Sequence, residues 1–224
     1  MGKRGPKPKG KVKIRWSPDF AYAIGLLVTD GNLSKYGRHI SFVSKDIEQI
    51  ETFTKCLDIK VTVGSSFSGY KKIKTWRVQF GDVIFHQWLM SIGIMPKKSK
   101  ILGIIKIPQK YFIDFLRGCF DGDGCSYSYW DPRWKSSFMF YLSFASGSLT
   151  FLQWISKVLY DRFHIKGHIT KASKKSTNYQ LKYSKHEAIK LVKRMYSTKQ
   201  KPCLQRKRLK ISQSFAIMGL PTLV

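Results

Sequence analysis

Two carboxylates stand where a helix holds one poorly. Residues 23–31 read Ala23-Ile24-Gly25-Leu26-Leu27-Val28-Thr29-Asp30-Gly31, and residues 116–124 read Leu116-Arg117-Gly118-Cys119-Phe120-Asp121-Gly122-Asp123-Gly124. Both runs are apolar and helix-like, with Gly at the third place and Asp-Gly at the end. An aspartate in the last turn of a helix meets the negative end of the macrodipole. Two such placements in one chain predict that a positive charge, most simply a divalent metal, sits between them. Phosphodiester hydrolysis is a reaction such a site could perform: it needs a water made nucleophilic and a leaving oxygen stabilised, and a metal held by carboxylates does both.

The composition agrees on the substrate class. Lys and Arg number 41 against 13 Asp and Glu, a net charge of +28. That excess calls for a polyanion, either nucleic acid or an anionic membrane surface. No run approaches the roughly 18 apolar residues of a membrane span, and no apolar segment follows the basic N-terminus, so a soluble, intracellular protein is expected. Cys56, Cys119, Cys125 and Cys203 form no CxxC pair, which argues against a disulfide framework or a zinc knuckle. His164 and His168 lack a second ligand pair and read as surface residues. A phosphate-cradling GxxxxGK loop and a His-Asn nuclease cluster are also missing.

The elements that must position the two aspartates form an internal repeat. Residues 1–15 are a basic arm; 16–96 form a first half; 97–110, broken by Pro96, lysines and Pro108, form a linker; 111–200 form a second half; and 201–224 are a C-terminal extension. In each half the Gly-containing helix comes first. Ser41-Phe42-Val43-Ser44 then matches Ser143-Phe144-Ala145-Ser146 as an alternating strand. Asp46 and Ser148 are the expected N-caps of helices 47–57 and 149–163. A second hairpin and a third helix follow in each half, 83–92 (capped by Asp82) and 187–196. The expected class is α+β, with two pseudo-symmetric αββαββα halves.

Outward strand and turn positions hold Ser34, Tyr36, Arg38, Ser41, Ser68, Tyr70, Lys72, Lys74, Arg77 and Gln79 in the first half. In the second they hold Ser126, Ser128, Trp130, Arg133, Lys135, Lys171, Ser173, Lys175, Thr177, Asn178, Gln180 and Lys182. Such faces, almost all of one charge, suit base edges and phosphates, and a two-stranded ribbon fits the major groove. A nucleic acid is the expected partner.

The two motifs, each opening a matching half, resemble the signature motifs of the LAGLIDADG homing endonucleases, in the single-chain form with two motifs. The resemblance spans about Ser17 to Lys210. It implies a DNA-binding saddle of two sheets with the motif helices packed at the interface, where Gly25 and Gly118 permit close approach. It implies Asp30 and Asp123 as catalytic metal ligands, helped by the main-chain carbonyls of Thr29 and Gly122. The cofactor would be Mg2+, with Mn2+ as a substitute and Ca2+ binding without supporting cleavage. Asp121, mirrored by Val28, reads as structural. Lys98 and Lys207 are the implied basic residues that polarise water and stabilise the transition state, and Lys45, mirrored by Gly147, is a further candidate there and on DNA. Ser44 and Ser146 stand where many relatives carry Gln. The implied function is a monomeric, sequence-specific, metal-dependent endonuclease whose partner is double-stranded DNA and which leaves a staggered break at a long pseudo-palindromic site. An intron RNA maturase or a cleavage-dead DNA-binding protein would use the same surfaces. The target, the host genome and the preferred metal are not written in the sequence.

Overall fold

The computed structural model describes residues 10–68, 73–173, 176–197 and 201–223. The first motif helix, α1 (Pro18–Thr29), starts where Ser17 Oγ accepts from Phe20 N at 3.1 Å and Pro18 fits the first turn. There follow β1 (Gly31–Leu33), β2 (His39–Ser44), α2 (Ile47–Cys56), β3 (Val63–Ser68), β4 (Ile73–Gly81) and α3 (Val83–Ser91). The second motif helix α4 (Phe112–Asp123) opens the same sequence again: β5 (Gly124–Trp130), β6 (Phe138–Ser146), α5 (Leu149–Phe163), β7 (His168–Lys171), β8 (Tyr179–Tyr183) and α6 (Lys185–Met195). A last helix, α7 (Gln205–Ile217), lies in the stretch read from sequence only as an extension.

The architecture is α+β. Two four-stranded antiparallel sheets have orders β1-β2-β4-β3 and β5-β6-β8-β7, the same order in each half. Period-two alternation fixes one face of each to the core: Ile40, Phe42, Val78 and Phe80 in the first sheet, and Phe140, Leu142, Phe144 and Leu181 in the second, are all buried. Helices α2 and α3 cover the first sheet; α5, α6 and α7 cover the second. Between the halves lie α1 and α4, nearly every residue of which is buried.

Their contact is as close as backbones allow. A Cβ on Gly25 would fall 2.2 Å from Phe115 O, and one on Gly118 would fall 2.1 Å from Tyr22 O. Only glycine fits at either place, so the two third-place glycines set the helix separation and with it the position of both aspartates.

Asp46 stands at the N-cap of α2 as expected, but its carboxylate makes no cap bond and is drawn instead to a cation from the C-terminal extension. Asp82 does cap α3, with Oδ1 accepting from Phe85 N at 2.9 Å. Its other oxygen accepts from Lys11 N and Val12 N at 2.6 and 2.9 Å, which seats the end of the N-terminal arm and buries Val12. The earlier arm residues, 1–9, lie outside the described residues.

Candidate active site

The C-terminal ends of α1 and α4 meet at Gly122. A Cβ there would come within 2.7 Å of Asp30 Oδ2 and closer still to the Thr29 side chain, so Asp30 lies against the residue that precedes Asp123. Burial, reinforced by the charge of Asp123, pushes the Asp30 carboxyl up to about 6. Asp123 keeps an exposed edge, yet its crowded surroundings raise it in the same direction. Both acids therefore carry negative charge that the fold itself does not fully offset.

Two lysines approach this pair from opposite segments. A short 3-10 turn, Lys98–Lys100, follows α3 and buries Lys98, whose ammonium donates to Gly31 O. The first turn of α7 buries Lys207, whose Nζ donates to Phe120 O, Gly122 O and Gly124 O at 2.7, 2.9 and 2.7 Å. The contacts are pseudo-symmetric, since Gly31 and Gly124 each follow the motif aspartate. Desolvation lowers both lysines, Lys207 to about 8.

Asp121 belongs to a different network. Its Oδ2 accepts from Tyr22 Oη at 2.8 Å and from Leu204 N at 2.7 Å, and its Oδ1 accepts from Tyr196 Oη at 3.3 Å. Burial still pushes the carboxyl up to about 6, against these bonds. The Asp121 carbonyl accepts from Gln49 Nε2 at 3.0 Å, and Gln49 Oε1 accepts from Ser44 Oγ at 2.6 Å. Thus an amide from α2 reaches the motif end on the side where Ser44 is short. Arg117, wholly buried, donates to Asp114, Met195 O and Pro202 O at 3.0, 2.9 and 2.8 Å, and so seats the segment leading into α7. The sequence reading missed Tyr22, Gln49, Arg117 and Tyr196. Buried polar types inside apolar motifs were the available signal for Tyr22 and Arg117; nothing local marked the other two.

The donor set suits a hard divalent cation. Mg2+ is commonly held by one or two carboxylates with substrate phosphates and waters completing the shell. Among the described residues no group of three or more His, Cys, Asp or Glu could hold a metal, and Asp30 and Asp123 are a pair. Thr29 is the last residue of α1, and its carbonyl belongs to the helix end without an intrahelical partner. The Gly122 carbonyl already accepts from Lys207 and has one lone pair left.

On the sheet faces away from the helices, register decides what is presented. Ser41 pairs with Gln79, and Arg77 lies on the same face; both long side chains are exposed, whereas Ser41 is buried. Ser34 is spent on the β1–β2 turn, accepting from His39 N at 3.0 Å, while Tyr36 and Arg38 in that turn are exposed, as is Lys45 beyond β2. In the second sheet Gln180 and Lys182 face outward opposite Ala145 and Ser143, and Lys135, Ser173, Thr177 and Asn178 are exposed in turns. Arg133 pairs with Asp131 at 3.3 Å.

Five expected outward residues are corrected. Ser126, Ser128 and Trp130 pair with Leu142, Phe140 and Phe138 and so have inward parity, though Trp130 at the strand end is 53% exposed; Ser128 Oγ lies 3.1 Å from Ser214 Oγ of α7. Lys74 and Lys171 also have inward parity, opposite Phe67 and Tyr179, and reach solvent only at strand ends, Lys74 over the Trp76 ring. A helix contributed from far along the chain lets small polar residues face inward, and the serine pattern concealed this. The outward places of β5 and β6 hold Tyr127, Tyr129 and Tyr141, stacked with centroids 4.8 and 6.2 Å apart. Tyr70, Lys72 and Lys175, and the Ser68 side chain, lie outside the described residues.

Paired motif helices between two like-ordered sheets define a pseudo-dimeric fold in one chain. Residues 113–196 match the family profile of the LAGLIDADG-like domain. Crystallised mesophilic variants of the homing endonuclease I-DmoI superpose with a TM-score of 0.57 at 14% identity, covering 87% of this chain and 97% of that one. I-DmoI in complex with DNA and Ca gives 0.55 at 14% identity over 90% of this chain and 97% of that one. Full-length WhiA from Thermatoga maritima gives 0.56 at 16% identity, covering 90% of this chain and 61% of that one. By sequence, the chain is 28% identical over 127 residues to the DNA-directed RNA polymerase subunit Rpo1C of Methanocaldococcus jannaschii, covering 54% of this chain and 15% of that subunit. The chain is a LAGLIDADG-fold protein. No helix of the described residues is long and apolar enough to cross a membrane.

Proposed function

We propose that this chain is a metal-dependent, sequence-specific endonuclease of duplex DNA, active as a monomer because both motifs lie in one chain. The observation that carries this reading is the juxtaposition of Asp30 and Asp123 at adjoining helix ends, each with a buried lysine on the glycine that follows it. Asp30 and Asp123 would hold Mg2+, or Mn2+ in its place, near the Thr29 and Gly122 carbonyls. When bound, such an ion supplies an activated water and neutralises a leaving oxygen.

The chain's own residues do the rest. The net charge of +28 draws the duplex onto the outward sheet faces, where Arg77, Gln79, Gln180 and Lys182 meet it. Lys98 and Lys207, tied to backbone carbonyls, hold positive charge where the scissile phosphates gain negative charge, and their desolvation strengthens the effect. One carboxylate per half serves one strand each, so the product is a staggered double-strand break.

A second reading rests on the stacked Tyr127, Tyr141 and Tyr129 rings, since exposed aromatic platforms suit unpaired bases: an intron RNA maturase on the same fold. One experiment separates the two. The purified chain is incubated with Mg2+ and a library of duplex sites. The endonuclease reading expects cutting, and expects Asp30→Asn plus Asp123→Asn to slow it by at least about 10²-fold while duplex binding measured without a divalent ion persists. Unchanged cutting by that variant would refute the site assignment. Tight, Mg2+-independent binding to an intron RNA without duplex cleavage would favour the maturase.

A further inference from the structure

The N-terminal arm joins the fold at one corner of the first sheet. Asp82 Oδ2 accepts from both Lys11 N and Val12 N, and Gly10 lies against the same carboxylate: a Cβ there would fall 3.9 Å from either oxygen. From that clamp the chain runs to α1 as an alternating ribbon. Val12 is buried, Ile14 and Trp16 pack on the core, and Lys11, Lys13 and Arg15 are exposed. The corner belongs to the outward face. Asp82 N donates to Arg38 O at 2.9 Å, and a Cβ on Gly81 would meet Arg38 Nε at 3.3 Å. Gly81 pairs with His39 and so has the parity of Gln79 opposite Ser41. Lys35, Tyr36 and Arg38 are exposed beside it.

The residues around the clamp suit a polyanion. Residues 1–16 hold seven basic side chains and no acid, and four of the seven (Lys3, Arg4, Lys7 and Lys9) precede Gly10. The approach to α4 is different. With Gly25 set on Gly118, Lys11, Lys13 and Arg15 correspond to Ile104, Lys106 and Pro108, and the chain before them belongs to the first half. The corner lies at the start of β2, whose other end, Ser44, lines the cavity beside Asp30. Five steps of strand put it about 17 Å out from the paired carboxylates.

We propose that residues 3–11 bind the phosphates of duplex DNA beyond the first sheet, so that the bound segment is longer on the first half's side than on the second's. This rests on the endonuclease reading and adds a flanking contact to it. Nine residues reach at most about 30 Å, the rise of about nine base pairs. Lysines spaced by Gly and Pro meet phosphates as point charges, so the contact is salt-sensitive and indifferent to the flanking sequence. The Asp82 clamp sets where the arm leaves the fold and thus which flank it meets.

The test uses a duplex recovered by the wild-type chain from a random pool, with binding measured in the absence of divalent ions. Wild type is compared with a fourfold variant carrying Lys3→Gln, Arg4→Gln, Lys7→Gln and Lys9→Gln. The hydroxyl-radical footprint of wild type should run further at one end, by up to about nine base pairs, and the variant should lose that extension. Trimming the duplex at this end, back to what the variant still protects, should weaken wild type about tenfold or more at 0.1 M salt; trimming the other end should cost under about threefold. The variant should be indifferent to both, and its salt slope should be lower by about three to four. Lys13→Gln plus Arg15→Gln, on the ribbon between clamp and α1, should keep the difference between the ends and so separate the arm contact from a mere loss of net charge. Equal dependence on the two ends, a difference that survives the fourfold change, or one lost as fully in the Lys13 and Arg15 variant overturns the proposal. Failure to recover any bound duplex overturns the endonuclease reading itself.

Discussion

The halves share a backbone plan and differ in how they brace it. Around Asp123 the surroundings are tied down: Lys207 satisfies three carbonyls at the end of α4, and Asp121 binds that helix to Tyr22, Tyr196 and Leu204. Around Asp30 they are looser: Lys98 serves one carbonyl, and Val28 stands in the place of Asp121. The lesson is a division of labour. Glycine contacts that are the same in both halves fix where the carboxylates stand, and side chains that differ between halves fix how firmly each motif-helix end is held. The braced half is also the one whose C-terminal helix delivers Lys207 from 84 residues beyond Asp123 (207 − 123).

The largest effect should come from the shared part. Gly25→Ala and Gly118→Ala each press a methyl into a facing carbonyl, and each should cost at least about 3 kcal/mol, enough to threaten folding. Thermal unfolding checks this, and an unshifted midpoint in either variant would show that the helices need not be so close. The unshared part comes next. Lys207→Met removes three hydrogen bonds, leaving Phe120 O only its bond from Gly124 N, and should cost about 2–3 kcal/mol, whereas Lys98→Met removes one and should cost about 1. Equal costs would erase the distinction between a braced and a loose half.

The same groups give the stability a pH signature. Asp30 and Asp121 titrate in the fold at about 6, above the ordinary 3.8, so the folded state binds more protons between those values. Their contribution is present below 3.8 and is lost as pH rises through about 6. Lys207 is depressed from 10.5 to about 8, so the unfolded chain binds more protons in that interval and stability recovers as pH climbs across it. The site is weakest between about 6 and 8, where all its charges are present. Asp30→Asn should raise stability at pH 7 by about 2–3 kcal/mol and flatten part of the acid limb. Denaturant titrations of wild type and variant across pH, taken as differences, remove the general repulsion of a +28 chain. A variant less stable at pH 7 would show that Asp30 is already compensated within the fold.

How much of this the sequence carried depended on range. The motif helices and their glycines were legible because spacing within nine residues specifies a helix, a small-residue contact and a terminal carboxylate. Asp121 was read as structural or hydrogen-bonding, since Val28 holds the mirrored place, and the structure gives it three donors to accept from. What failed was information from elsewhere in the chain. Ser126 and Ser128 looked outward by polarity, but α7 brings Ser214 to face them, and their register opposite Leu142 and Phe140 turns them inward. Asp46 stands at the N-cap of α2, but its side chain is taken by Arg206 from the far end of the chain. Polarity predicts a face only when the covering element is also known.

The smallest expected effect tests whether the halves differ on their outer faces as well. Tyr129 and Tyr36 occupy matching places, five residues after the motif glycines Gly124 and Gly31. Tyr129 lies in β5 and stacks on Tyr141 at 13° between planes, next to Tyr127 on the same strand; Tyr36 sits in a turn and is 93% exposed. Cross-strand aromatic contacts contribute about 0.2–1 kcal/mol, so Tyr129→Ala should cost about 0.5 kcal/mol and Tyr36→Ala less than that. Denaturation midpoints of the two variants, compared directly, measure the difference. If the order reversed, the tyrosine ladder would add no rigidity to the second sheet, and the firmer hold on Asp123 would come from its buried network alone.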